Sequence, residues 1–237
     1  MKPLFRSFSM FVRQIFRDSM LIAICFACLL TALFVRYGVP ALEGVLCAYF
    51  QRDVILLPYY LLFDLLLILV TPYMLCFASA MMMLTEYDEN LSGYLAVTPV
   101  GKGGYILSRL VFPAVIAFVV SIALMRWFSL TEWPVAMLLS ACLLADIASV
   151  AVALLLFAFS HNRVEGVAMG KLSGLLMMGL FVPFFLSSDV QYLFALLPSF
   201  WLSKLCITRH MALMLPALLS SALWVLMLYR RFERKIA

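Results

Sequence analysis

Charge is scarce in this sequence. Asp, Glu, Lys and Arg make up only 12% of its 237 residues, against about a quarter in soluble globular proteins. Hydrophobic residues make up 66%, and the mean hydropathy is +1.10. A water-soluble fold of this composition would expose apolar patches large enough to aggregate, which excludes a soluble enzyme or binding domain. Histidine is scarcer still, with His161 and His210 alone. No H-E-x-x-H, G-x-S-x-G or paired-aspartate motif occurs, and residues 101–104 lack the G-x-x-x-x-G-K-[ST] spacing of a phosphate loop. No catalytic residue and no metal site is therefore expected, and any ATP hydrolysis has to come from another polypeptide. The six cysteines lie mostly in apolar runs, where thiols act as small hydrophobes. Cys25 and Cys28 have C-x-x-C spacing without other ligands nearby. Cys47 and Cys206 fall in segments placed outside, which leaves a disulfide between them open. No basic stripe carries interleaved aromatics, so nucleic acid is not an expected partner.

What the chain has instead is long apolar runs. In lipid every backbone polar group must be paired within the protein, which restricts the choice to helices or a closed barrel. Barrel strands would alternate apolar and polar residues, and these runs do not. About 20 apolar residues cross a bilayer as a helix. The expected fold is an all-α polytopic membrane protein with six transmembrane helices at 19–39, 54–84, 104–126, 134–160, 167–187 and 211–229. Pro58 and Pro72 are tolerated in the second as kinks. Of the 17 Lys and Arg, only Arg36, Arg52, Arg126, Lys204 and Arg209 fall on one side; the other twelve fall opposite, so both termini are expected to be cytosolic. The first apolar run is too long for a cleaved signal. Residues 1–18 place Phe8, Phe11, Val12, Ile15 and Phe16 on one helical face and Arg6, Arg13 and Arg17 on the other, an interfacial amphipathic helix on the cytosolic leaflet. Residues 19–237 form the membrane domain. Within it, 186–210 is too apolar for a plain loop and reads as a re-entrant helical element on the outer side.

Two acids interrupt the apolar runs. Asp64 and Asp146 each lie roughly 15–18 Å from the outer end of their span at 1.5 Å per residue. A lone carboxylate there must be protonated, paired or facing water. They either line a translocation path or lock helices together by hydrogen bonds. Small residues recur at four-residue spacing as Ala23, Ala27 and Thr31, and as Gly166, Gly170 and Gly174. Such stripes let backbones approach, within the bundle or at a dimer interface. Between the second and third spans, Glu86, Asp88 and Glu89 precede Leu91, Tyr94, Leu95 and Thr98 on one face of a short helix that Pro99 ends. An aliphatic and aromatic face turned to the cytosol calls for a protein partner.

This stretch resembles the membrane subunits of ABC-2-type exporters. The resemblance rests on Glu86, Glu89, Leu95, Thr98-Pro99, Tyr105 and Arg109. It continues in Asn162-x-x-Glu165-Gly166 and in Leu197-Pro198-x-x-Trp201-x-x-Lys204. It implies a multi-pass permease of the bacterial inner membrane that exports an amphipathic peptide, lipid or drug. Residues 86–99 would be the coupling helix docking on a separate ABC ATPase subunit, which holds the ATP and magnesium. His161, Asn162 and Arg163 would be a second contact. A second copy or paralogue would pair through the small-residue stripes of spans one and five. Three other readings stay open: a proton-coupled transporter using Asp64 and Asp146, an intramembrane hydrolase or transferase using the same acids, and a substrate-capture subunit of a vitamin importer. No internal repeat supports the first of these.

Overall fold

The computed structural model describes residues 2–89, 101–186 and 188–236. Among these residues every regular element is helical. Helix α1 (Lys2–Ile15) is followed by a turn in which Asp18 caps α2 (Ser19–Leu33), accepting from the N–H groups of Met20 at 2.9 Å and Leu21 at 3.3 Å. A π turn, Phe34–Gly38, joins α2 to α3 (Val39–Phe50), so the first apolar helix runs on beyond the expected end at 39 to Phe50. The cause is local. Pro40 has no N–H to continue the ladder, and the wider π turn before it absorbs the mismatch. The same device recurs where α5 (Gly101–Ile106) passes through the π turn Leu107–Val111 into α6 (Phe112–Phe128), one residue before Pro113.

Helix α4 (Tyr60–Asp88) begins after the 3-10 turn Leu57–Tyr59, which contains Pro58, and carries Pro72 in its interior. Its entry is capped from α3, where the Glu43 carboxylate accepts from the N–H groups of Ile55 at 2.9 Å and Leu56 at 2.5 Å. Helix α7 (Val135–Phe159) matches its expected span to within a residue at each end. It is the most buried of the long helices and packs most closely on α4. Apolar area gains little from burial in lipid, so contact between helices depends on small residues. Ala141, Ala145, Ala148, Ala151, Ala153 and Ser149 of α7, with Ala78, Ser79 and Ala80 of α4, supply them.

Among the described residues five helices are long and apolar enough to cross a membrane: Ser19–Phe50, Leu57–Asp88, Gly103–Phe128, Val135–Phe159 and Met211–Lys235. The expected fifth span, 167–187, is not one continuous helix. It is divided into α8 (Arg163–Met177), the 3-10 turn Met178–Leu180 and the four-residue α9 (Val182–Phe185). Gly179 in the turn and Pro183 at the start of α9 account for the break. The segment expected to form a helical element after it does so, as a 3-10 turn, Asp189–Phe194, and α10 (Pro198–Thr208). Gly179 lets α10 approach: a Cβ there would meet the Ser199 hydroxyl at 2.6 Å and the backbone N of Phe200 at 3.0 Å. The last helix, α11, spans Met214–Ile236.

Two apolar cores lie along the bundle. One, at the end that carries α1 and the last turns of α4, α7 and α11, includes Phe11, Leu84, Tyr105, Phe157 and Phe232. The other includes Cys28, Leu65, Met125, Ala145, Leu205 and Cys206. Helix α1 does not rest on lipid alone. Phe11 is fully buried against the bundle, and Phe8 meets the Phe112 ring edge-on at 5.2 Å. No disulfide joins Cys47 and Cys206. All six thiols are free; Cys206 is buried in the second core, and the Cys47 thiol instead approaches the Glu43 carboxylate at 3.5 Å.

Candidate functional site

The segment expected to meet a partner follows the end of α4 in sequence, and the last turn of that helix holds one half of a buried ion pair. Glu86 and Arg109 are both 2% exposed. The guanidinium donates Nε to both carboxylate oxygens at 3.1 Å and Nη2 to Oε1 at 2.6 Å, a two-pronged contact. The Arg109 guanidinium also lies 4.9 Å from the Phe11 ring centroid, and its backbone carbonyl accepts from the Ser79 hydroxyl. Sequence reasoning placed Glu86 among the partner contacts. Burial excludes that role, since its carboxylate is wholly engaged with Arg109 inside the protein. Asp88 and Glu89, a turn further, are exposed. Leu91, Tyr94, Leu95, Thr98 and Pro99 lie outside the described residues.

The second expected contact is next to this root. Asn162 caps α8 by accepting from the Glu165 N–H at 2.8 Å, and the Glu165 carboxylate reaches back to the His161 N–H at 2.7 Å. This is close to a reciprocal capping box. Arg163 pairs with Asp18 at 2.5 Å, tying the loop to the turn between α1 and α2. Partial burial acts to raise the Asp18 carboxyl, but Arg163 and the two capping N–H groups outweigh it and hold its pKa below the ordinary value. Of the three residues only His161 is fully exposed.

The two membrane acids have different surroundings. Asp64 is fully buried in the second turn of α4, not deep along it, because the helix starts later than the apolar run suggested. Its carboxylate accepts from the N–H groups of Leu130 at 2.8 Å and Thr131 at 2.9 Å, the Thr131 hydroxyl at 2.5 Å and the Trp133 indole at 3.0 Å. It therefore latches the connection between α6 and α7. Asp146 stands halfway along α7, 8% exposed, and its Oδ1 has no hydrogen-bond partner among the described residues.

A model of the family described as "Fluoroquinolones export permease protein Rv2686c-like" matches residues 11–231. The chain belongs to this family of export permeases. Two similar curated proteins are the fluoroquinolones export permease proteins Rv2686c and MT2760 of Mycobacterium tuberculosis strains H37Rv and CDC 1551. Each is 27% identical over 234 residues, covering 95% of this chain and 92% of the relative. No solved structure matches it significantly. The family supports the ABC-2-type resemblance and a multi-pass place in the bacterial inner membrane.

In this permease the two small-residue stripes separate. Gly166 and Gly170 face inward against α4: a Cβ at either would lie 2.5 Å from Leu84 or 2.4 Å from Phe77. They serve packing within the subunit, with Tyr73 donating to the Gly170 carbonyl at 3.0 Å, so their assignment to a dimer interface is corrected. Nothing lies within 4 Å of a Cβ at Gly174. Ala23 is exposed and Ala27 and Thr31 half-buried, on a helix whose Phe26, Leu30 and Phe34 also face outward. Sequence reasoning missed Glu43, Asp18 and Lys235. Asp18 directly before an apolar run is a capping signal that was legible; nothing in the sequence marks the other two.

Proposed function

We propose that this chain is the membrane subunit of an ATP-driven exporter, with ATP and magnesium held on a separate ABC ATPase subunit that docks on residues 88–99 and 161–163. The observation that carries the reading is the buried Glu86–Arg109 pair at the base of 88–99. Breaking such a pair leaves an uncompensated buried charge, so the root of the segment resists bending and passes displacement into α4 and α6. Family membership supports the direction of transport. The substrate is proposed to be an amphipathic drug of the fluoroquinolone kind, as the relatives' names say of them. The broken helix of α8 and α9, with α10, would complete a six-crossing plan with both termini in the cytosol, and two permease copies or paralogues would meet along Ala23, Ala27 and Thr31. Docking energy then shifts the bundle between inward and outward access, and the permease itself catalyses nothing.

The test is a pulldown of the detergent-solubilised chain beside a Tyr94→Glu, Leu95→Glu double variant, read by mass spectrometry. An ABC ATPase should co-purify with the wild type and not with the variant. Recovery of no ATPase under conditions that preserve complexes contradicts the proposal. The second reading, proton-coupled transport, draws on the unpartnered Oδ1 of Asp146. It requires export without an ATPase, abolished by Asp146→Asn.

A further inference from the structure

The two segments given to the ATPase are separated in sequence by residues 100–160, yet one side chain touches the root of both. Lys235, near the end of α11, donates its Nζ to the carbonyl of Phe157 at 2.6 Å and to that of Ser160. Ser160 immediately precedes the 161–163 contact. The same ammonium lies 4.4 Å from the centroid of the Tyr87 ring, one residue past the buried Glu86, and 4.7 Å from that of Phe157. Tyr87 and Phe157 meet edge-on at 5.8 Å, and Phe232 of α11 closes the cluster 5.0 Å from Phe157.

The chemistry suits a joint more than a plain cap. The last carbonyls of α7 have no partner within their own helix and favour a cation. A solvent-facing lysine on α7 itself would satisfy them. Here the cation comes from α11, more than 70 residues away, and takes its remaining contact from a third helix. Three rotatable donors and a compact charge let Lys235 hold two carbonyls while lying against an aromatic face. The neighbouring Arg231 is engaged elsewhere, 4.1 Å from the Phe159 ring.

We propose that Lys235 is a positioning residue that clasps the two partner-facing segments together, so that a push on either moves both, and with them α7. The inference rests on the functional reading above, because it takes 88–99 and 161–163 as the surfaces being pushed. Its consequence is mechanical: displacement of Tyr87 is delivered through Lys235 to the end of the helix that carries Asp146 at its middle.

The clasp can be tested apart from the ATPase. Spin labels are placed at Asp88 and His161, both exposed, in a cysteine-free full-length chain in lipid nanodiscs, and their distance distribution is measured. The wild-type background should give one narrow distribution. Lys235→Met should broaden it about two-fold as the two roots decouple, and Lys235→Arg, which keeps the charge but not the compact ammonium, should restore it only in part. An unchanged width in Lys235→Met overturns the clasp. Should that variant fail to insert, Tyr87→Leu removes only the aromatic face. Intermediate broadening there supports the clasp, and wild-type width overturns it. A wild-type pulldown without an ATPase would refute the functional reading, while the label distances would still decide whether Lys235 joins the two roots.

Discussion

Glu86 and Arg109 show how much one contact changes the meaning of a residue. They stand 23 positions apart, and in the sequence one counted as a partner contact and the other only as part of a family resemblance. Packed together and excluded from solvent, they are the anchor of the segment between them. Removing one partner strands the other, so Arg109→Met should destabilise the protein by about 3–5 kcal/mol, whereas Glu86→Met combined with Arg109→Met should recover most of it. Thermal unfolding in detergent across the double-mutant cycle checks this. Asp18 gives a pH prediction. Its folded pKa lies below the unfolded one, so it adds stability at pH above the unfolded value, and that stability is lost as pH falls through the folded value. Asp18→Asn should therefore flatten the acid limb of the stability profile between the two pKa values and lower stability at neutral pH. A profile with the wild-type slope would contradict the role given to Arg163.

Among the elements, hydropathy located α7 closely and α8 poorly, and the reason is physical. Apolar content reports that a stretch can sit in lipid, whereas the path of the chain depends on where prolines and glycines break the ladder, as at Pro183 and Gly179. Neither the π turns before Pro40 and Pro113 nor the late start of α4 could be read from composition. That late start moved Asp64 from an expected mid-membrane depth to a latch on the α6–α7 connection. The glycine stripe of α8 was legible as a packing surface, but not which surface it met. A paired test follows from the space around it. Gly170→Ala drives a Cβ into the Phe77 ring and should cost about 1–3 kcal/mol. Gly174→Ala enters open space and should be neutral or stabilising by up to about 1 kcal/mol through helix propensity. Comparable losses at both positions would show that the stripe as a whole is in contact with something.

At the scale of the molecule, the bundle has one end where four structural devices converge: the Glu86–Arg109 pair, the Arg163–Asp18 pair, the capping of α8 and the Lys235 joint. Residues 86–89 and 160–163 are both held there, and α1 is drawn in through Phe11. A face assembled from segments so far apart in sequence is suited to receiving force from a partner, which is the central claim made for this permease. The most direct measurement is export of a fluorescent fluoroquinolone in proteoliposomes, with the permease alone and with its co-purified ATPase, each with and without ATP. The account predicts transport only when permease, ATPase and ATP are all present. Undiminished export by the permease alone, driven by a proton gradient and lost in Asp146→Asn, would contradict it.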